Sequence, residues 1–210
     1  RSTQDRTLFP YTTLFRSDSG RVNRDTFVAG VESVLPESLW RSLDSSERRN
    51  AELTLLYEST RRRRAEVVTS LLPLGLEVRG DEAWQHVTGV PSGRISYLED
   101  LAGYYRDTAI NINTTSLQMT TAVNQRVFDC PAAGGFVITD DQAAVHELFD
   151  DNEVVDYASL DELRDKVRYY RTRPTGREAV IRAAQRRIAA DHTHANRLQG
   201  LVAFLRERFG

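Results

Sequence analysis

Residues 109–157 read AININTTSLQMTTAVNQRVFDCPAAGGFVITDDQAAVHELFDDNEVVDY. Three strand-like runs stand out in this stretch: AININ (109–113), GFVIT (135–139) and EVVDY (153–157). The segments between them, Ala122 to Ala133 and Asp141 to Phe149, carry helical patterns. Strand and helix alternating in this way predict a parallel sheet covered by helices, the α/β class. Upstream, LEVRG (76–80) reads as a further strand and Leu98 to Arg106 as a further helix. In such sheets ligands bind beyond the carboxyl ends of the strands, which directs attention to Gly80 to Trp84, Asn113 to Thr121 and Thr139 to Asp141. The second of these is polar and lacks glycine, and its hydroxyl and amide side chains ahead of a helix suit an anionic ligand such as a diphosphate.

Outward from this core the chain turns helical on both sides. Phe27, Val31, Val34 and Leu35 recur at helical spacing until Pro36. A longer helix is predicted from Ser45 or Ser46, with Glu47 and Glu52 in its early turns, through Leu53, Leu56, Val67, Val68, Leu71 and Leu72; Pro73 and Gly75 stop it. After Leu160 the signals are helical again, with breaks at Pro174 and near Thr193. The expected organisation is a helical segment at 18–72, part of a truncated domain, followed by an α/β domain with carboxy-terminal helices at 73–210. Residues 1–17 stand apart. Their TLFPYTTLFRS is the translation of a common short-read sequencing adapter, so this stretch is expected to be an adapter-derived artefact and is excluded from fold reasoning. The biological sequence is then expected to begin at Asp18, within a longer protein.

Composition narrows the function classes. With 28 basic and 30 acidic residues the net charge is −2, so no basic surplus points to nucleic acid. No apolar run approaches the length of about 20 residues that spans a bilayer. The single cysteine, Cys130, rules out a disulfide framework within the chain and suits a reducing, cytoplasmic setting. Cys130 reads as a small buried side chain, and His192 and His194 as parts of a turn, because neither has metal-ligand spacing. Arg61 to Arg64 reads as a solvated helix face, since four successive helical residues point in different directions.

The run from Tyr104 to Phe149, continuing through EVVDYASLDELRDKVRYY to the HTHANRL segment, resembles the carboxy-terminal half of GT-B glycosyltransferases, most closely the spore-maturation CgeB-like group. That resemblance implies a Rossmann-like domain that holds a nucleotide-sugar donor as substrate, with no separate cofactor, while a separate amino-terminal domain holds the acceptor; no metal is expected, because helix-terminal amides and arginine can carry the phosphate charge. It implies retaining transfer. The family's donor signature pairs two acidic residues separated by seven intervening positions, the second followed by small residues and a glycine. Asp129, followed by CPAAG, corresponds to the second, which would accept hydrogen bonds from ribose hydroxyls. Thr121 stands at the first, a departure from the pattern. Ala122, Val123 and Asn124 correspond to the turn that approaches the diphosphate, with Gln118 on the loop leading into it and Gln125 and Arg126 following. Arg126 would neutralise charge on the leaving group. Tyr97, in GRISYL (93–98), falls where the family contacts the nucleobase. Two alternatives from other classes stand beside the transferase reading. One is a non-catalytic α/β binding or partner-docking module, supported by Thr121; the other is a helical interaction protein built on the first two helices.

Overall fold

The computed structural model describes residues 36–96, 99–119 and 121–210. The adapter-like stretch, the first predicted helix and Tyr97 lie outside the described residues. The described chain starts with a short helix α1 (Glu37–Ser42) and the long helix α2 (Ser45–Leu71). Asp44 caps α2: its carboxylate accepts from the Ser46 and Glu47 amides at 2.7 and 2.9 Å, and Glu47 returns a bond to the Asp44 amide at 2.8 Å. This reciprocal box satisfies amides that have no intrahelical partner. A 3-10 turn at Leu72–Leu74 and a left-handed Gly75 (φ 82°) end the helix, where Pro73 and Gly75 predicted the stop.

Helices α3 (Gln85–Thr88) and α4 (Leu101–Asp107) precede the sheet. Its three parallel strands are β1 (Asn111–Ile112), β2 (Val137–Asp140) and β3 (Val155–Tyr157), in the order β1-β2-β3. Helices α5 (Arg126–Ala132) and α6 (Ala143–Leu148) form the crossovers, and α7 (Leu160–Arg171), α8 (Pro174–Asp191) and α9 (His194–Phe209) complete the chain. The fold is α/β and Rossmann-like. Pro174 opens α8, and the Thr193 hydroxyl caps α9 by accepting from the Asn196 amide at 3.2 Å. His192 has the structural place expected of it. Its Nε2 lies 2.9 Å from the Leu148 carbonyl, and its ring packs against Phe128 and Phe149.

Two expectations need correction. LEVRG forms no strand. Its Gly80 amide bonds instead to the carbonyl of Gly93 at 3.1 Å, and only Leu76 joins the core beneath the sheet, so the run becomes the base of a loop. The helix predicted from Ala122 begins at Arg126, because the Asn124 side chain accepts from the Arg126 amide at 3.0 Å and holds residues 121–125 in a turn.

The pleat of β2 sends Ile138 and Asp140 to one face and Val137 and Thr139 to the other. Ile138 packs with Phe136, Val155 and Tyr157 against Val67 and Leu71 of α2 and Leu163 and Val167 of α7. Val137 packs on the opposite side with Tyr105 of α4 and Cys130 of α5. The PAAGG segment makes this second contact possible. Gly134 is left-handed (φ 90°), and a Cβ on Gly135 would lie 2.6 Å from the Tyr105 carbonyl oxygen and 2.8 Å from the Cys130 sulfur. Gly135→Ala is therefore expected to destabilise the fold by roughly 1–3 kcal/mol through overpacking. Thermal denaturation checks this, and a midpoint equal to wild type would contradict the close approach.

Candidate functional site

The carboxyl ends of β1 and β2 carry a buried polar cluster. Beyond β1 the chain runs through Asn113, Thr114, Thr115 and Ser116, all buried, and β2 ends in Asp140, which is 3% exposed. Asp140 Oδ1 accepts from the amide and the hydroxyl of Thr115, both at 2.9 Å. The Asn113 amide nitrogen donates to the Thr139 hydroxyl at 2.9 Å, while its Oδ1 is buried without a partner. Thr114 meets the Tyr157 hydroxyl at 3.3 Å, and burial, with the charge of Asp140 beside it, pushes that phenol up to about 12. Burying such groups is costly unless they are paired, so the hydrogen bonds of the cluster fix the loop's path, with Asn113 Oδ1 the exception.

Helix α2 leans over this edge. The Thr60 hydroxyl accepts from the Leu117 amide at 3.2 Å and lies 3.4 Å from the Ser116 hydroxyl. One turn further on, Arg63 reaches Asp140 Oδ2 at 3.5 Å. Arg64 is half-buried. Burial, followed by the nearby positive charge of Arg126, pulls its guanidinium below its usual range, with Asp140 opposing the shift. This corrects the solvated-face reading of the arginine run. Arg61 and Arg62 do remain exposed, and their hydrogen bonds hold the Glu58 carboxyl down at about 2. Arg63 and Arg64 turn toward the sheet because Thr60, Val67 and Leu71, seven and four residues apart and so two turns and one turn along the helix, bury that face.

Arg126 opens α5 on the other side of the edge, with its charge beside the phenol of Tyr105; burial raises that phenol, and Arg126 opposes the rise. Asp129 is half-buried one turn along, close enough to Tyr105 for its charge to act there as well. Burial, then the charge of Asp129, pushes the Cys130 thiol up to about 12, which makes it an inert core group rather than a nucleophile. The structure thus brings Arg126 and Asp129 to one wall. Gln118, Thr121 and Gln125 are exposed along the loop, and Asn124 spends its side-chain oxygen on the turn. Three side chains absent from the sequence-based set belong to this edge: Arg63, Arg64 and Asp140.

The assembled edge offers cationic side chains from two distant segments around one buried carboxylate, beside a loop of hydroxyls and amides. A family model described as glycosyl transferase-like matches residues 49–203. The chain belongs to the glycosyl transferase-like family. Neither the curated proteins nor the solved structures gave a match. The family match takes in most of α2 with its arginine run, all three strands, and Arg126 and Asp129, so the edge described above lies wholly inside the glycosyl transferase-like region. Among the described residues no helix is long and apolar enough to cross a membrane. Glycosyl transfer breaks the bond between an anomeric carbon and its leaving group, and cations fixed beside that leaving group favour the departure.

Proposed function

We propose that this chain is the donor-binding part of a GT-B type glycosyl transferase that takes its sugar from a nucleotide-activated donor. The approach of Arg64 to Arg126 carries the reading. Two guanidiniums from segments sixty-two positions apart in sequence share the carboxyl edge where α/β sheets bind ligands, and burial, then the charge of Arg126, disfavours the charged form of Arg64 there. Like charges in a partly desolvated place cost stability, and a diphosphate spanning them would remove that cost. When the anomeric carbon–oxygen bond breaks, the leaving diphosphate takes the electron pair, and the arginines offset the charge that develops on it. Arg63 is held toward the same edge by Asp140.

Asp129 takes the ribose in this reading, with its carboxylate accepting from the two hydroxyls. The loop from Gln118 to Asn124 borders the sugar and the phosphates, Gln125 follows it, and Tyr97 borders the base. Retention of anomeric configuration belongs to the proposal through the family resemblance, with Thr121 standing where an acid is usual. The acceptor belongs to a separate domain.

Calorimetric titration with uridine, guanosine and adenosine diphosphates tests the donor site. Binding of at least one is expected, and Asp129→Ala should weaken it by roughly 1.5–3 kcal/mol, the worth of hydrogen bonds to a charged group. A 2′,3′-dideoxy nucleotide should bind wild type weakly and be almost indifferent to that substitution. If none of the diphosphates binds at millimolar concentration, the chain is a non-catalytic α/β module instead. If natural and dideoxy nucleotides bind equally well, Asp129 does not hold the ribose.

A further inference from the structure

Asp141, His146 and Asp156 come together on the face of the sheet opposite Arg63. Each offers one donor atom, and the three atoms lie within 4.8 Å of one another. His146 Nε2 is 2.8 Å from Asp141 Oδ1 and 3.1 Å from Asp156 Oδ2. A single imidazole nitrogen carries one proton or one lone pair, so it cannot make straight hydrogen bonds to two oxygens at once. Two oxygens crowded about one nitrogen are, however, what neighbouring ligands of one ion look like. Donors bound at about 2.1 Å lie about 3.0 Å apart at adjacent octahedral corners and about 3.4 Å apart at tetrahedral ones. The observed spacings fall at the first of these.

The donors sit on a rigid frame. Asp141 directly follows β2 and its amide bonds to the Tyr157 carbonyl at 2.9 Å; Asp156 lies within β3, paired in register with Thr139; His146 lies in α6, the crossover that joins the two strands. Asp156 is oriented further by Lys166, whose ammonium donates to the Asp156 carbonyl at 2.7 Å and approaches Oδ1 at 3.4 Å, leaving Oδ2 toward His146. Such an outer partner fixes a ligating carboxylate. Lys166 is shared with Glu162 at 2.6 Å, so it does not by itself balance the two aspartates. All three donor side chains retain solvent access, with exposures of 39%, 48% and 26% for Asp141, His146 and Asp156.

We propose that Asp141, His146 and Asp156 form a binding site for one divalent first-row transition-metal ion, with the remaining positions filled by water. One imidazole and two carboxylates suit zinc, cobalt or manganese rather than the all-oxygen sites of calcium. The ion would clamp β2, α6 and β3 together, one residue away from Asp140 and the arginine edge. This site does not depend on the donor-binding reading.

The test uses the untagged full chain, stripped with chelator, titrated with Co²⁺ by visible absorption and with Zn²⁺ by calorimetry. One-to-one binding is expected, together with a cobalt absorption band that Zn²⁺ displaces. A hundredfold excess of Zn²⁺ over Kd should raise the thermal midpoint by about 5 °C. His146→Ala and Asp156→Asn should each weaken binding about tenfold or more, while Asp161→Asn, an exposed carboxylate outside the cluster, should not. Circular dichroism without metal establishes that each variant is folded. Should His146→Ala fail to fold, Asp156→Asn and Asp141→Asn supply the same comparison. Absence of saturable one-to-one binding to wild type, or wild-type affinity in the folded ligand variants, would overturn the assignment and leave an ion-paired histidine.

Discussion

Asp140→Ala is expected to destabilise the protein by about 3–5 kcal/mol, the cost of breaking a buried, hydrogen-bonded charge pair by removing one partner. The carboxylate is almost wholly buried, and four groups converge on it: the Thr115 amide, the Thr115 and Thr139 hydroxyls and the Arg63 guanidinium. Removing it strands a buried amide and takes from Arg63 the carboxylate it reaches. At about 2–4 °C per kcal/mol for a domain of this size, the thermal midpoint should fall by roughly 10 °C. Asp140→Asn should lose less, because one oxygen still accepts from Thr115 while the charge toward Arg63 is gone. A midpoint within a degree or two of wild type for Asp140→Ala would mean that water replaces the carboxylate and that the loop after β1 is not pinned by it.

The same residue shows where the sequence was legible and where it was not. The strands could be read because AININ, GFVIT and EVVDY are short strand-like runs bounded by turns, although β2 extends one residue past its run, to Asp140. That Asp140 is buried could not be read, since its partner Thr115 lies twenty-five positions away and only the parallel register brings the two loops together. LEVRG resembles the true strands in composition, yet Gly80 closes on Gly93, and no local signal separates the two outcomes. The arginine run hid its own asymmetry. Four identical side chains mask the helical period, and only counting back from Leu71 and Val67 to Thr60 separates Arg63 and Arg64 from their exposed neighbours. Asp129 and Arg126 enter the candidate site through motif resemblance, which carries positional information that composition lacks. Asp141, His146 and Asp156 match no spacing motif, because the strand pairing of Thr139 with Asp156 makes the cluster.

Arg64→Met is expected to weaken nucleoside-diphosphate binding by roughly 1.5–3 kcal/mol, or about 10- to 150-fold, while leaving the unliganded protein as stable as wild type or more so. The two effects have one cause. Arg64 is a base whose charged form is disfavoured in the fold, first by burial and then by Arg126, so removing the charge relieves the fold instead of costing it. Methionine keeps most of the apolar stem that packs along α2, which separates the charge from the packing. Arg126→Ala should weaken binding comparably, and because both guanidiniums would meet one diphosphate, the double variant should lose less than the sum of the singles. Arg61→Ala is the control, since that side chain is committed to Glu58 and exposed. Raising salt should erode wild-type binding more than binding by Arg64→Met, as screening acts on the charge that only wild type has. If Arg64→Met bound diphosphate normally and lost stability, Arg64 would be a prop for Asp140. The carboxyl edge of the sheet would then be a structural ion network with the donor held elsewhere.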